Sequence, residues 1–487
     1  MQNKNCNVLI VGFGPTGAVL ANLLSKYDLS IQILEKESQI YNLPRAVHFD
    51  DEIMRIFKSI GIFDQLVKKT IINKGTKFVD EDDNLILDWP RPRQITDNGF
   101  YPSYRFHQPD LEKILRKNLA LNDNIKIYYN TELTDLKNKG KFVKAKYINK
   151  LTNTSHIINA DYVVGCDGAN SFVKKFIGPE TIDYGFEERW AVLDLILKKH
   201  NKNLPDRTIQ YCSQNTPATY CRNVGRRRRW EISLNKNFTE KDIFDENKIW
   251  KFLSKWITQD AAVIERKTIY TFKSLIAKKW QEGRVFIAGD AAHLSPPFMG
   301  QGMCSGLRDV SNLFWKLAYC CHFGHKEKLL ASYESERLKN VKEYIITTIN
   351  MGKLLNSIGD TNVSKTVKED QDGSKVMTSI KPPLGPGLGS KSDKLRGQIF
   401  PFVNLNKSNI KYFDEQFDKE LVLLSTQEFN HPNIKHININ KYKELIKIFN
   451  NLNIKALILR PDRFILSSLQ KNSDINKFVN KSMLQFS

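Results

Sequence analysis

Near its start the chain has an apolar run, "NVLIVG", that leads straight into Gly12-Phe13-Gly14-Pro15-Thr16-Gly17 and then into "AVLANLLSKY", a stretch of helical periodicity. A short apolar run closed by glycine reads as a buried parallel strand. Pro15 sits where a helix begins. "LSIQILEKE" follows as a second strand and ends at Glu35 and Lys36. In such a unit the first glycine allows the tight turn, the second lets backbone approach a pyrophosphate, and the third lets helix pack on strand. Helix N-terminal amides then favour the phosphate charge, and a carboxylate at Glu35 can accept both ribose hydroxyls. The spacing predicts a βαβ opening, a parallel sheet and a dinucleotide site. It does not separate FAD from NAD.

A second glycine cluster lies far away in "VFIAGDAAHLSPPFMGQGMCSG", residues 285–306. Here a buried strand delivers Asp290 as an acceptor for ribityl or ribose hydroxyls. Gly300 to Gly302 then open another helix. Its N-terminus can stabilise negative charge on a reduced flavin by roughly 0.3–1 kcal/mol, or about 2 when partly buried. The bland alternative for Asp290 is an ordinary helix cap. Together the two stretches are read as holding one flavin dinucleotide from its two ends.

The remaining organisation is α/β. "QPDLEKILRKNLAL" (108–121) predicts a helix and "ADYVVGCDGANS" (160–171) a strand. Residues 1–180 form the first part of a Rossmann-like FAD-binding domain, with a short excursion near 75–105. Aromatic and β-branched pieces in 181–282 predict an inserted, mostly antiparallel substrate-binding sheet. Residues 283–356 return to the FAD-binding domain with the Gly-Asp turn and two helices, about 301–322 and 326–356. Residues 357–398, with "KPPLGPGLGSKSDK", read as a linker. Residues 399–487 read as a small α/β appendage.

Length, 487 residues, allows two or three domains. No apolar run reaches the roughly 18 residues of a membrane span, and the N-terminus reads as a first strand, so a cytoplasmic location is expected. Seven cysteines show no CxxC or zinc-ligand spacing, which predicts free thiols, no disulfide framework and no metal site. The net charge of +21 raises nucleic acid as a partner. The lysines are scattered, and the tight run "GRRRRWEI" (225–232) falls in a strand-like stretch, so no nucleic-acid partner and no integral membrane segment are expected.

Three separated motifs resemble the class A flavoprotein aromatic hydroxylases, of the para-hydroxybenzoate hydroxylase fold. They are the glycine loop at 12–17, Asp167-Gly168, and Gly289-Asp290 followed by Pro296-Pro297 and Gly300-Gln301-Gly302. "RAVHFDDEIMRIF", "FHQPDLEKILR", "GRRRRWEISL" and "LILRPDRFIL" are similar to the branch that contains 3-(3-hydroxyphenyl)propionate hydroxylase. The resemblance implies an FAD-dependent monooxygenase that hydroxylates a phenolic aromatic compound, such as a hydroxyphenylpropionate-like acid, with NADH or NADPH and O2, via a flavin C4a-hydroperoxide. It also implies a C-terminal thioredoxin-like domain without redox cysteines. The oligomeric state is left open, with a homodimer among the options.

Residue by residue, the resemblance assigns Gly12, Gly14, Pro15, Thr16 and Gly17 to the FAD pyrophosphate, Glu35 and Lys36 to the adenosine ribose end, and Arg45 and Gln108 to the cofactor from neighbouring segments. Asp167 falls where FAD and NAD(P)H handling are linked. Asp290 takes the ribityl chain, and Gly300, Gly302 and Met303 face the isoalloxazine. Pro296 and Pro297 line the gap between flavin and substrate. Lys174 stands where the Asp-Gly motif ends in Arg, and lysine lacks the planar fork. Cys304 reads as helix packing. His48 and Asp50 are candidates to relay a phenol proton, against a satisfied loop histidine and a helix cap. His293 reads as structural. Tyr220 and Trp230 are candidates to contact the ring, against ordinary strand-core aromatics. The absence of CxxxxC after the first loop, and of a second glycine fingerprint, argues against disulfide reductases and Baeyer–Villiger enzymes. A related flavin dehydrogenase or halogenase, or a non-catalytic flavin-binding protein, remains as the alternative.

Overall fold

The computed structural model describes residues 4–120, 122–200, 203–236, 238–356, 367–370, 373, 375–407, 410–416, 419–470 and 474–486. Strand Lys4–Val11 is the centre of the first sheet, parallel to Ile31–Leu34 on one side and to Thr154–Gly165 on the other. Ile125–Tyr128 and Val285–Ile287 extend it outward, also in parallel. Val8, Leu9 and Ile10 have no exposed surface, as a strand covered on both faces requires. Helix Pro15–Leu24 packs against helix Gly302–Phe323, so segments nearly 290 residues apart in the chain are neighbours over this sheet.

The second sheet has ten strands among the described residues. Its centre is the antiparallel pair Thr181–Leu197 and Ala262–Ala277, followed by Arg227–Ser233, Ala218–Arg222 and Thr208–Tyr211. It continues through Gly75–Val79 and Leu85–Pro90 to Lys375–Met377 and Val367–Glu369. The expected linker at 357–398 is therefore corrected. Residues 357–366 lie outside the described residues, but 375–377 and 367–369 are the last two strands at one end of this sheet. The sheet's apolar face carries Leu193, Tyr220, Trp230 and Ile232 and is covered by Ile249, Trp250 and Leu253 of helix Glu246–Leu253.

The rest of the expected linker is a packed strap. A Cβ on Gly385 would lie 2.3 Å from the Ser335 carbonyl oxygen, and one on Gly387 2.3 Å from Glu336 Cγ. Only glycine permits this approach to helix Glu327–Asn356. The C-terminal sheet runs in the order Lys435–Asn438, Val422–Ser425, Ile454–Leu459, Ile465–Gln470. The first pair is parallel and the others antiparallel.

A buried ionic cluster ties this unit to the rest. Glu336 accepts from Lys316 Nζ (2.9 Å), Asn312 Nδ2 (2.8 Å), Arg460 Nη1 (2.8 Å) and the Leu388 amide (3.0 Å). Arg460 also donates from Nε to Asp462 (2.9 Å), and Asp462 accepts from Trp315 Nε1 (3.1 Å). Burial pulls the Lys316 ammonium down to about 8, against the pull of Glu336. Removing one partner of such a cluster strands the others without water. Arg460→Ala is therefore expected to cost about 3–5 kcal/mol by denaturant unfolding, whereas Arg189→Ala, which breaks a half-exposed pair with Glu240, costs under about 1 kcal/mol. Equal losses would contradict this account.

Candidate functional site

Strand Val285–Ile287 ends in a turn at Gly289, whose φ is +63°. The turn is fixed from beneath by Asp309, which is fully buried. Asp309 accepts the Gly289 amide (3.0 Å) and Arg337 Nε (2.9 Å), and lies 2.6 Å from His293 Nε2. His293 thus has a structural task. Above the turn, a Cβ on Gly289 or on Gly306 would lie 2.8 or 2.7 Å from Thr16 Oγ1. The first glycine loop and the Gly-Asp turn are in direct contact, and Asp290 stands exposed beside both.

The glycines divide by task. Gly12 has φ +96°, and a Cβ there would lie 2.5 Å from the Cys166 carbonyl oxygen; one on Gly17 would lie 2.1 Å from that of Gly12. These two are required by the protein's own packing. Around a Cβ on Gly14 or on Gly302 nothing lies within 4 Å. Both glycines border open space, and both helices that start there lack a side-chain cap, which leaves backbone donors for a ligand. Glu35 is buried and accepts the amides of Phe13 (2.7 Å) and Glu37 (2.9 Å), which fixes a carboxylate at the end of the second strand. Pro15 opens its helix as expected. Lys36 is exposed, and its carbonyl accepts from Lys150 Nζ (3.3 Å).

The Pro44–Arg45 loop is held from two sides. Gln108 Oε1 accepts the amides of Arg45 (3.0 Å) and Ala46 (2.8 Å), while its Nε2 donates to Glu112 (2.9 Å). Gln108 therefore shapes the loop rather than reaching out from it. From the inserted sheet, Arg229 and Arg266 donate to the Pro44 carbonyl (2.5 and 2.8 Å), and both pair with Asp194. Two of the arginines in the basic run, Arg228 and Arg229, are thus interior groups. The Arg45 guanidinium is left exposed over Tyr41.

Other expected residues fall differently. The Asp167 carboxylate is taken up within its own turn by Ser171 Oγ (2.5 Å) and the amides of Phe172 (2.8 Å) and Val173 (3.2 Å). Lys174 Nζ donates to the Ala169 carbonyl (3.3 Å). Pro296 is buried, while Pro297, Gly300, Gly302 and Met303 are half-buried around the start of helix Gly302–Phe323. Cys304 is buried, and desolvation pushes its thiol far up, so it is inert packing.

Asp50 is corrected as a proton relay. It caps helix Asp51–Ser59 through the Ile53 amide (3.2 Å), pairs with Arg308 (2.5 Å) and accepts from Gln301 (3.2 Å). Although burial favours its neutral form, Arg308 and His48 hold its pKa below the ordinary carboxylate value. Tyr220 and Trp230 are corrected as ring contacts. They belong to the apolar core under helix Glu246–Leu253, and Tyr220 OH donates to the Pro205 carbonyl (3.0 Å). On the same strands the opposite face carries Cys221 and Arg229, in register with Asp194, and Glu231 two residues along, and that face meets the Pro44 loop.

His48 is buried with Nδ1 3.3 Å from the Gly300 carbonyl oxygen. That partner only accepts, so Nδ1 carries the proton and Nε2 of the neutral ring is an acceptor. Burial, reinforced by Arg105 and Arg91, pulls the imidazole down from 6.5 to about 3. Asp309, Arg308 and Arg337 were all missed by sequence reading; Arg308 and Asp309 carried one signal, as charged residues inside an otherwise apolar helical stretch, whereas Arg337 lies among other charged residues and carried none.

A histidine with a depressed folded pKa stabilises the fold above its ordinary value and loses that contribution as pH falls from 6.5 toward 3. Between pH 7 and pH 4 the wild-type chain should therefore lose about 3 kcal/mol more stability than His48→Gln. Chemical denaturation at the two pH values measures the difference, and identical losses would show that His48 is not held neutral.

Residues 5–348 match the family described as FAD binding domain. A probable NADH-specific resorcinol 4-hydroxylase of Rhodococcus jostii is 34% identical over 356 residues, 72% of this chain and 66% of that protein. A 3-(3-hydroxy-phenyl)propionate/3-hydroxycinnamic acid hydroxylase of Burkholderia vietnamiensis is 32% identical over 356 residues, 73% of this chain and 64% of that protein. The chain thus spans just under two thirds of the length of these curated relatives. Among solved structures, the flavin-dependent monooxygenase PieE in complex with FAD and substrate superposes with a TM-score of 0.79 at 15% identity, and aklavinone-11 hydroxylase with FAD and aklavinone with 0.77 at 17%. PieE is covered over all of both chains; for aklavinone-11 hydroxylase the cover is 100% of this chain and 99% of the other. At these identities the superpositions establish the fold. With a match that takes in both glycine turns, the chain belongs to the FAD-binding-domain family.

Proposed function

We propose that the chain is an FAD-dependent monooxygenase that hydroxylates a phenolic aromatic compound with NADH or NADPH and O2. The observation that carries this is the seating of Thr16 against Gly289 and Gly306. It brings the pyrophosphate loop, the turn that bears Asp290 and the helix that Gly302 opens into contact with one another. The names of the two curated relatives support the phenolic substrate; one acts on resorcinol and the other on a hydroxyphenyl-substituted acid.

In this reading Gly14 and the uncapped amides after it hold the pyrophosphate, Glu35 the adenosine ribose, Asp290 the ribityl hydroxyls, and the Gly302–Met303 amides the polar edge of the flavin ring. FAD, when bound, supplies two-electron exchange with the nicotinamide and the activation of O2. The protein excludes water with Pro296, Phe298 and Met299, which are buried at the helix start. His48 Nε2 accepts a hydrogen bond from the phenol and orients it. Its pKa near 3 makes it too weak a base to take the proton at neutral pH. Asp167 and Lys174 serve the nicotinamide through the shape of their turn.

The domain division supported by the sheets is a FAD-binding part in 1–180 and 283–356, a substrate sheet centred on 181–282 with strands from 75–90 and 367–377, and a C-terminal unit in 399–487. The strand order of that unit, with a parallel first pair and an antiparallel second half, supports a thioredoxin-like reading in which loop residues 426–434 stand where a helix would follow the first strand. A cytoplasmic enzyme and a homodimer are compatible with this reading. Among the described residues no helix is long and apolar enough to cross a membrane.

Purified protein should be yellow, and a phenol should stimulate NAD(P)H oxidation with 18O from labelled O2 appearing in the product. Folded protein that is colourless and takes up no flavin, or product without label, would overturn the proposal. Asp290→Ala should weaken FAD retention by roughly tenfold to over a hundredfold, the range for a lost hydrogen bond to a charged group, as measured by flavin content after dialysis.

A further inference from the structure

Helices Gly302–Phe323 and Glu327–Asn356 pack on each other through a polar stripe. Ser305, Asp309, Asn312 and Lys316 recur every three or four residues on the first helix and so share one face. At the rise of an α-helix the stripe is about 16 Å long. Tyr333, Glu336, Arg337 and Asn340 stand on the second helix, and none of the eight is more than 3% exposed.

One end of this stripe holds the flavin-side turn. Arg337 donates from Nε to Asp309 (2.9 Å) and from Nη2 to the Ser305 carbonyl (3.3 Å). Asp309 accepts the Gly289 amide (3.0 Å), and Tyr333 OH donates to the Ile287 carbonyl (2.8 Å). The strand end before Asp290 is thus pinned to both helices. The other end meets the C-terminal unit. Glu336 accepts from Asn312, Lys316 and Arg460, and Asp462 accepts from Trp315 Nε1 (3.1 Å). The strap lies alongside, with the Gly385 amide on the Glu336 carbonyl (2.8 Å) and Asn340 Nδ2 on the Pro382 carbonyl (2.5 Å). Glu336 and Arg337 are consecutive. One residue of the long helix is held by Arg460, and the next holds Asp309 beneath the turn.

Three acids, Asp309, Glu336 and Asp462, are balanced by three bases, Lys316, Arg337 and Arg460, all buried. Apolar side chains of similar volume would hold two helices together at least as firmly. The polar stripe instead permits a single alignment, because a slide of either helix along the other strands every one of these charges at once.

We propose that Arg460 is a positioning residue for the Gly289–Asp290 turn: by holding Glu336 it fixes the register of the long helix, and Arg337 and Asp309 pass that register to the turn. The C-terminal unit then sets flavin affinity from outside the FAD-binding part. This second step rests on the placement of FAD at that turn proposed above.

The test uses the full chain and two readouts, hydrogen exchange of the peptide that contains the Gly289 amide and the Kd of FAD by fluorescence titration. Arg460→Met should speed exchange at Gly289 by about tenfold or more under native conditions, with strand Lys4–Val11 exchanging as in wild type. It should raise the Kd of FAD by about tenfold or more. Leu445→Ala hollows the apolar core of the same unit and should change exchange at Gly289 by less than about twofold. Asp462→Asn keeps the shape of its side chain, removes the charge beside Arg460 and should speed exchange at Gly289 by about threefold or more, which keeps the test open if Arg460→Met does not fold. Unchanged exchange at Gly289 in the Arg460 and Asp462 variants would overturn the proposal, and so would an equal rise in Lys4–Val11 or in Leu445→Ala. Exchange needs no flavin. If it quickens at Gly289 while the Kd of FAD stays put, the positioning stands and the placement of FAD at this turn fails.

Discussion

The Asp309 carboxylate is the fixed point of the molecule. It has no exposed surface, and it binds the turn amide of Gly289, the ring of His293 and the guanidinium of Arg337 at once. These partners come from the turn that ends a strand of the parallel sheet, from an edge strand of the second sheet and from the long helix Glu327–Asn356. A carboxylate so placed stays ionised because its partners outweigh the cost of burial, and its pKa lies below the ordinary value. Without it the Gly-Asp turn would have no floor, Thr16 no seat, and the two glycine loops no reason to meet.

The parallel sheet was legible because its strands are short apolar runs closed by glycine, and because two of the loops carry spacings tied to one chemistry. "NVLIVG" and "VFIAGD" could hardly be anything else. The inserted sheet was legible as strands but not as faces. Alternation along "RRRRWEIS" shows that Trp230 and Ile232 share one side and Arg229 and Glu231 the other. Which side meets the cleft is decided by helix Glu246–Leu253, which covers the aromatic side. Aromatic residues therefore pointed away from the site, and charged ones toward it.

The stretch around "KPPLGPGLG" shows the opposite limit. Its composition suits a solvated connector, yet two of its glycines are there because helix Glu327–Asn356 passes too close for any side chain. The same helix contributes Glu336 to the cluster that receives Arg460. Glycine as flexibility and glycine as clearance are identical in a sequence, and only the neighbouring surface tells them apart. "RPD" at 460–462 was visible as a motif, but its partners lie more than a hundred residues earlier.

The grip of Arg229 and Arg266 on the Pro44 carbonyl has a mechanical corollary. The antiparallel layer and the segment bearing Arg45 are fastened together, so neither can swing independently of the other. No such bond is needed where the strap and the carboxy-terminal unit meet, at Pro382, Pro383 and Phe464 in the wall of a cavity of about 400 Å³.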